Sequence, residues 1–297
     1  MFSKVIRNLV LPIPSKYDGF AFFRSADANR EFCDKGFVIL DMGSHQVLDG
    51  LASAYAELRM ELTGSLENEF RNTSQLNDND LKSRVKEALM KYEKDLFSSL
   101  INDHVEVEPG SFFNKAANSE SATGLHHDGC HIDEANLCGV HAWIPLQDMA
   151  ENNGTFWIVP YSHRIGHYNR QVSDTSILDG HKAVLSSMLE LVNIKRGQIL
   201  FFDHALVHLS GANRSDQERT AASYTMAKRP FSYVYLKKQV NGALLDVFAV
   251  DRNFWIDQRP DSERLAGMKP IESRNPDDTS LIERNIRRLK IVNNYLK

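Results

Sequence analysis

Gly124-Leu125-His126-His127-Asp128-Gly129-Cys130-His131-Ile132-Asp133-Glu134 packs three imidazoles, three carboxylates and a thiol into eleven residues. In an extended strand alternate side chains share a face. His126 and Asp128 are therefore expected to project together, close enough to bite one metal ion. A third ligand has to come from elsewhere. The stretch Phe202-Asp203-His204-Ala205-Leu206-Val207-His208-Leu209-Ser210 offers His204 and His208. Two histidines and one carboxylate make a facial triad, which covers one face of an octahedral iron and leaves three positions open. A bidentate 2-oxo acid and dioxygen fit those positions, and neutral imidazoles with one anion suit Fe(II). Spacing alone leaves alternatives. His131-Ile132-Asp133 repeats the His-x-Asp pattern, and Cys130, His131 and Cys138 form a rival zinc set. The rival lacks the spacing of paired-cysteine knuckles.

Eleven residues after His208 comes Arg219, followed by Thr220-Ala221-Ala222-Ser223-Tyr224-Thr225. As a strand, this places Arg219, Ala221, Ser223 and Thr225 on one face. An arginine on an otherwise small or apolar inward face is costly without an anion. A carboxylate gripped by both arms of the guanidinium is the natural partner. The alternative is a surface arginine closing the polar loop Asn213–Glu218.

Outward from these stretches the chain divides in character. Gly36-Phe37-Val38-Ile39-Leu40 reads as a buried strand. Leu48, Leu51, Tyr55, Leu58 and Leu62 recur at helical spacing, as do Leu81, Val85, Leu89, Tyr92, Leu96 and Leu100. The pattern predicts one helix near 48–62, a polar loop over Asn72–Asn79, and a second helix from about Asp80 to Ile101. After Asp103 come short strand-like runs: Ser111–Lys115, Leu137–Leu146, Thr155–Val159, Gln198–Phe202, Thr220–Ala227 and Phe231–Leu236. Asn153-Gly154 is a hairpin signal. A last helix spans about Ser280–Tyr295 with Leu281, Ile282, Ile286, Leu289 and Val292 inward, capped by Asp278 or Thr279; its arginines read as a solvated face. Short strands with turns between them, following a helical part, predict a mainly β barrel or sandwich with helices in a separate layer.

Length and composition set the remaining bounds. The 297 residues suit one elaborated domain. We expect a helical N-terminal part over about 1–103, a barrel core over about 104–236 and a C-terminal extension over about 237–297. The net charge of −4 gives no reason to expect nucleic acid as a partner. Three cysteines argue against a disulfide framework and for a reducing compartment. Met1–Pro14 is too short for a secretory signal or a membrane span. The expectation is a cytoplasmic protein with no membrane insertion, acting on a small molecule.

Three ordered groups of residues resemble the phytanoyl-CoA dioxygenase family of Fe(II)/2-oxoglutarate oxygenases. The first is Leu125-His126-His127-Asp128. The second runs from Ala142-Trp143-Ile144-Pro145-Leu146-Gln147-Asp148 through Glu151-Asn152-Asn153-Gly154-Thr155 to Val159-Pro160-Tyr161-Ser162-His163. The third is Gly197-Gln198-Ile199-Leu200-Phe201-Phe202, then His208-Leu209-Ser210-Gly211-Ala212-Asn213, then Arg219. The resemblance covers roughly Phe32 to Ala227, and motifs in the expected order are more specific than any one alone. It implies a double-stranded β-helix, a cupin-like jelly-roll barrel with flanking helices. It selects His126, Asp128 and His208 as the iron ligands over His131, Asp133 and His204. It puts Arg219 and Ser210 on the distal carboxylate of 2-oxoglutarate, with Lys115 and Trp143 beside it. The cofactor set it implies is Fe(II), 2-oxoglutarate and O2, and the activity is oxidation, by hydroxylation or a related outcome, with release of succinate and CO2.

Two departures stand out. The residue between the iron ligands is His127 where the family has glutamine, and Tyr161 replaces the glycine of the Pro-Gly-Ser-His turn. Strand alternation turns His127 away from the metal. Two other readings stay in play. A halogenase on this fold usually lacks the carboxylate ligand, whereas Asp128 is present; a barrel that binds without turnover would not need all three ligands and Arg219. The family acts on acyl-CoA esters, amino acids, compatible solutes and specialised metabolites, so fold alone does not name the substrate. Lys228, Arg229, Lys237 and Lys238 could meet a CoA phosphate or form a solvated edge. Part of the aromatic-rich segment Phe231–Trp255 is expected to form the substrate-facing wall.

Overall fold

The computed structural model describes residues 2–43, 45–65, 70–171, 177–240, 242–255 and 259–296. Helices α1 (Phe2–Val10) and α2 (Ala26–Lys35) lead to strand β1 (Phe37–Asp41). Helix α3 (His45–Ser65), strand β2 (Phe70–Asn72), and helices α4 (Asn79–Met90) and α5 (Glu93–Phe97) complete the N-terminal layer. Strands β3 (Val105–Lys115), β4 (Thr123–His126), β5 (Gly139–Pro145) and β6 (Phe156–Ile158) follow. Helix α6 (Lys182–Ser186) precedes β7 (Glu190–Leu191), β8 (Gln198–Asp203), β9 (His208–Ser210) and β10 (Arg219–Lys228). The chain ends with β11 (Tyr233–Lys238), β12 (Leu245–Val250), α7 (Asp261–Arg264), β13 (Glu272–Arg274) and α8 (Thr279–Leu296).

Six strands form a large sheet in the order β1-β8-β5-β10-β3-β2, and four form a small sheet in the order β4-β9-β6-β7. From β3 to β10 the chain passes back and forth between these sheets. That is the winding of a double-stranded β-helix. Trp143, Leu200, Phe202 and Ala221 of the large sheet pack with Phe156 and Ile158 of the small one, closing the barrel interior.

Strand alternation divides each large-sheet strand between two environments. Ile199 and Phe201 join the helical layer, while Leu200 and Phe202 join the barrel core. On β10, Ala222, Tyr224 and Met226 face the helices; Ala221 packs inside, and Arg219, Ser223 and Thr225 line the barrel cavity. This is the face division expected from the sequence. The helical stripe Leu48, Leu51, Tyr55, Leu58 and Leu62 is buried against the outer face, together with Leu81, Val85, Leu89 and Leu96. Opposite β3, the β10 register slips between Ala222 and Tyr224. Gly110 lies at the slip, where a Cβ would stand 2.7 Å from the Ser223 carbonyl oxygen.

Several expectations change in the structure. The helix expected over 80–101 is two helices, broken at Lys91 and Tyr92. At the break the Leu89 carbonyl accepts from the Tyr92 amide at 3.1 Å and from the Tyr224 hydroxyl at 2.8 Å. The Asn153-Gly154 turn does not close a hairpin between neighbours; it carries the chain from the large sheet to the small one. There Asn153 accepts from the Ala150 amide and donates to the Asp148 carbonyl, and Gly154 adopts φ +76°. A Cβ on Gly154 would meet the Gly211 carbonyl oxygen at 2.6 Å. The loop expected over 72–79 begins as the edge strand β2 and a 3-10 turn. The strand expected over Phe231–Leu236 is β11, which starts at Tyr233 and pairs outside the barrel in a three-stranded sheet, β11-β12-β13. Helix α1, unforeseen in the sequence, packs against α8. Asp278 accepts from the amides of Ser280 and Leu281 and caps α8. Among the described residues, no helix is long and apolar enough to cross a membrane.

Candidate metal centre

Strand β4 ends on His126 and β9 begins on His208, and the two residues are cross-strand partners. Their rings lie 4.3 Å apart, centroid to centroid. Asp128 follows just beyond β4, its amide donating to the His204 carbonyl at 2.9 Å. One ligand atom from each of His126, Asp128 and His208 lies within 4.8 Å of the others, and among the described residues no other group of three does so.

The imidazoles are held from behind. His126 Nδ1 lies 2.7 Å from the Gly124 carbonyl, and His208 Nδ1 lies 2.9 Å from the Leu206 carbonyl. With Nδ1 donating to a carbonyl, each Nε2 carries a free lone pair toward the shared centre. Burial, with His126 alongside, brings the His208 pKa down to about 4. Burial pushes the Asp128 carboxyl up, but His141, His208 and His126 outweigh it and hold it well below the ordinary carboxylate range. A neutral imidazole beside an ionised carboxylate is the protonation state a divalent metal requires.

A few residues deeper, the barrel holds two cations. Arg219 and Lys115 are directly paired across β10 and β3, 2% and 0% exposed. Arg219 donates to the Gly154 carbonyl at 2.6 Å, stacks over Trp143 at 5.5 Å, and leaves its buried Nε without a partner. Lys115 donates to the carbonyls of Ser210, at 3.2 Å, and Gly211. Among the described residues no carboxylate pairs with either cation. Burial brings the Arg219 pKa down to about 9; burial and Arg219 bring Lys115 down to about 7. Ser210, whose hydroxyl donates to Thr123 Oγ1 at 3.0 Å, lies on the same cavity wall.

The cavity, about 790 Å³, is lined by Arg219 and by His126, Asp128 and His208. Its outer lining includes the exposed Ser74, Gln75 and Arg252, with Lys86 of α4, Tyr233 and Tyr235 of β11, and Arg264 also on its wall. The expected wall from Phe231 to Trp255 therefore does contribute, through Tyr233, Tyr235 and Arg252; the side chain of Trp255 lies outside the described residues. Lys228, Arg229, Lys237 and Lys238 do not line the cavity.

The rival ligand sets separate. Cys130 donates to the Tyr168 carbonyl at 2.7 Å, and Cys138 donates to Asp203 at 3.1 Å. Burial pushes the Cys130 thiol up to about 12 and the Cys138 thiol well above the ordinary thiol range, and among the described residues Cys130, His131 and Cys138 do not bring their ligand atoms together. Asp133 pairs with Arg274 at 2.8 Å. His204 turns Nδ1 to Glu134 at 3.1 Å. His127 points away from the triad and stacks edgewise on His167 at 4.6 Å. Tyr161, in place of the family's turn glycine, adopts φ +67°. Arg7 stacks over its ring at 4.4 Å and donates to its hydroxyl at 2.9 Å, anchoring the side chain in that conformation.

His141 and Arg170 at the site escaped the sequence reading, and Glu134 was read only as one of three carboxylates in its stretch, with no role given to it. His141 places Nε2 3.2 Å from Asp128 Oδ2. Arg170 donates from Nε to the Asp128 carbonyl at 2.6 Å and pairs with Glu134, both side chains fully buried. His141 carried a legible signal, since it shares a β5 face with Trp143. Arg170 and Glu134 carried none, because the loops that bring them together have no periodicity.

Comparison with known proteins bears on the same residues. The sequence profile of the phytanoyl-CoA dioxygenase (PhyH) family matches residues 32–221, more than half of the chain. A mouse (Mus musculus) phytanoyl-CoA dioxygenase domain-containing protein 1 is 33% identical over 86 residues, a stretch covering 27% of this chain and 30% of the mouse protein. Among solved structures, EvdO2 from Micromonospora carbonacea var. aurantiaca, complexed with 2-oxoglutarate, is 17% identical with a TM-score of 0.47, over 71% of this chain and 93% of that one. The nogalamycin-biosynthesis epimerase SnoN, in complex with Fe3+, alpha ketoglutarate and nogalamycin RO, is 18% identical with a TM-score of 0.49, over 84% and 94%.

Proposed function

Because the chain belongs to the phytanoyl-CoA dioxygenase family of Fe(II)/2-oxoglutarate-dependent oxygenases, we propose that it oxidises a small-molecule substrate, by hydroxylation or a related outcome, with release of succinate and CO2. His126, Asp128 and His208 would hold the iron; Arg219, Lys115 and Ser210 would hold the distal carboxylate of 2-oxoglutarate, with Trp143 as its wall. The observation that carries this reading is a pair of buried cations with no acid paired to them among the described residues, one of which, Arg219, lines the same cavity as a two-histidine, one-carboxylate cluster. A buried charge without a counter-ion is expensive. A small dianion held by these cations would offset that expense.

When bound, iron and 2-oxoglutarate supply the O2-dependent oxidising power. The chain's own residues bind, orient and exclude water. The carbonyls of Gly124 and Leu206 fix the ring planes of His126 and His208. Phe156 stacks on the His208 ring at 5.3 Å and Phe202 packs edge-on at 5.1 Å, keeping that side of the centre dry. Arg219 supplies a planar fork that sets which end of 2-oxoglutarate enters first.

The substrate would enter the same cavity, to whose wall the extra three-stranded sheet contributes Tyr233 and Tyr235. Three free cysteines fit a cytoplasmic setting. A halogenase reading is disfavoured because Asp128 fills the ligand position halide would need. A binding-only barrel is opposed by the complete triad and by Arg219. The test is a screen of small molecules for stimulated succinate formation, run on wild type and Tyr235→Ala. The proposal expects at least one compound to raise succinate release in wild type. Tyr235→Ala should alter that response with its 2-oxoglutarate requirement unchanged. Iron-loaded protein that forms no succinate with any compound, and none without, would favour the binding-only reading.

A further inference from the structure

The two oxygens of Asp128 have different neighbours. Oδ1 lies 3.8 Å from His126 Nε2, on the side of the triad, whereas Oδ2 lies 3.2 Å from His141 Nε2. Main-chain contacts fix the Asp128 backbone through the His204 carbonyl and Arg170. They leave the carboxylate free to turn about its last bond. Among the described residues, His141 is the one side chain whose nitrogen comes within hydrogen-bonding distance of the carboxylate; His126 Nε2, at 3.8 Å, carries the lone pair and does not donate.

His141 is well held for such a task. It stands on β5 two residues before Trp143, facing inward, with its ring 4.2 Å from His204 and 5.3 Å from Phe202. Its Nδ1 lies 3.4 Å from Thr225 Oγ1. A ring packed on two sides and tethered at Nδ1 presents Nε2 in one direction only.

We propose that His141 is a positioning residue that captures Oδ2 of Asp128 and leaves Oδ1 as the single carboxylate ligand of the metal. The inference rests on the metal reading above. Its chemical content is the coordination mode. A carboxylate can bind through one oxygen or two, and a second oxygen would occupy one of the three positions the facial triad has to leave open. A hydrogen bond from a fixed imidazole to the outer oxygen holds the one-oxygen mode.

The test uses the full chain stripped of metal and titrated with Co(II), followed by binding affinity and by the visible absorption of bound Co(II), which reports ligand number. Wild type, Asp128→Ala, His141→Gln and His141→Phe are compared. His141→Phe keeps the ring volume without a donor, while His141→Gln restores an N–H at similar reach. The expected result is wild-type binding that Asp128→Ala abolishes. His141→Phe should bind on the order of tenfold to a hundredfold more weakly, with a changed Co(II) spectrum. His141→Gln should recover most of the affinity and the wild-type spectrum. If His141→Phe does not fold, His141→Ala against His141→Gln reads the same difference. Wild-type affinity and spectrum in every His141 variant would overturn the proposal. So would equal losses in the Phe, Ala and Gln variants, which would assign His141 to packing. Failure of wild type itself to bind Co(II) would instead defeat the metal reading, and this inference with it.

Discussion

Lys115 and Arg219 face each other as direct partners across the β3–β10 ladder, both buried, and no carboxylate among the described residues pairs with either. Among the described residues each cation donates only to backbone carbonyls, and one guanidinium N–H has no hydrogen-bond partner. In the proposed function a dianion would be the missing counterpart. Arg219→Ala should therefore raise the 2-oxoglutarate requirement steeply, with metal binding spared. Removing one member of a buried charge pair costs about 3–5 kcal/mol, at least roughly a hundredfold in affinity. Arg219→Lys should also be impaired, because an ammonium cannot form the two-armed contact. Calorimetric titration with 2-oxoglutarate measures both; unchanged affinity in both variants would move the carboxylate elsewhere.

The same pairing gives 2-oxoglutarate binding a pH signature. Burial and Arg219 bring Lys115 from the ordinary lysine range down to about 7 in the ligand-free protein. At about pH 8 the amine is then mostly neutral, and a carboxylate arriving beside it favours the protonated form. Binding should take up a proton, and affinity should fall as pH rises above Lys115's own pKa. Titrations in buffers of different ionisation enthalpy count the proton. Zero uptake at about pH 8 in wild type would separate Lys115 from the bound carboxylate.

With Asp128 as the proposed carboxylate ligand, it would also decide the outcome of oxidation. Its carboxylate would fill the position that a halide needs, so the product should carry oxygen, or a new double bond, and never chlorine. Mass spectrometry of the product formed under labelled dioxygen and high chloride checks this. A chlorinated product from the unmodified protein would sink the assignment. Asp128→Gly should abolish oxidation without necessarily creating halogenation, since substrate placement also decides that outcome.

Glu134 and Arg170 hold the loop that carries Asp128. Both side chains are fully buried, and His204 shares the carboxylate. Glu134→Ala leaves the Arg170 charge without its partner, so stability should fall by about 3–5 kcal/mol. Chemical denaturation of the metal-free chain reads this directly. A loss below about 1 kcal/mol would mean that solvent reaches the pair, as in surface ion pairs.

The chemistry was more legible in the sequence than the connections were. Alternation alone put Arg219, Ala221, Ser223 and Thr225 on one face, and the barrel interior receives all four. Helical periodicity located the stripes from Leu48 to Leu62 and Leu81 to Leu96 because each has one buried side. It overran the break after Met90, where the Leu89 carbonyl accepts from the Tyr92 amide and from the hydroxyl of Tyr224, on a distant strand. The Asn153-Gly154 signal gave a turn but not which sheets it joins; the close approach of Gly211 settles that, and no local pattern encodes it. Choosing His208 over His204 took family resemblance, because both follow β8 and only the fold turns His204 toward Glu134. The Glu134–Arg170 pair joins residues 36 apart through aperiodic loops, so propensity could not reach it.

The central claim is one iron on His126, Asp128 and His208 with a chelated 2-oxo acid beside it. Anaerobic addition of Fe(II) and 2-oxoglutarate to the metal-free chain tests it most directly, through the visible charge-transfer band that such a chelate produces. A band that saturates at one iron per chain is expected in wild type. His131→Ala and His204→Ala should keep it, and His126→Ala, Asp128→Ala and His208→Ala should lose it. A band that survives His126→Ala and disappears in His131→Ala, or no band in wild type at any iron concentration, would contradict the account.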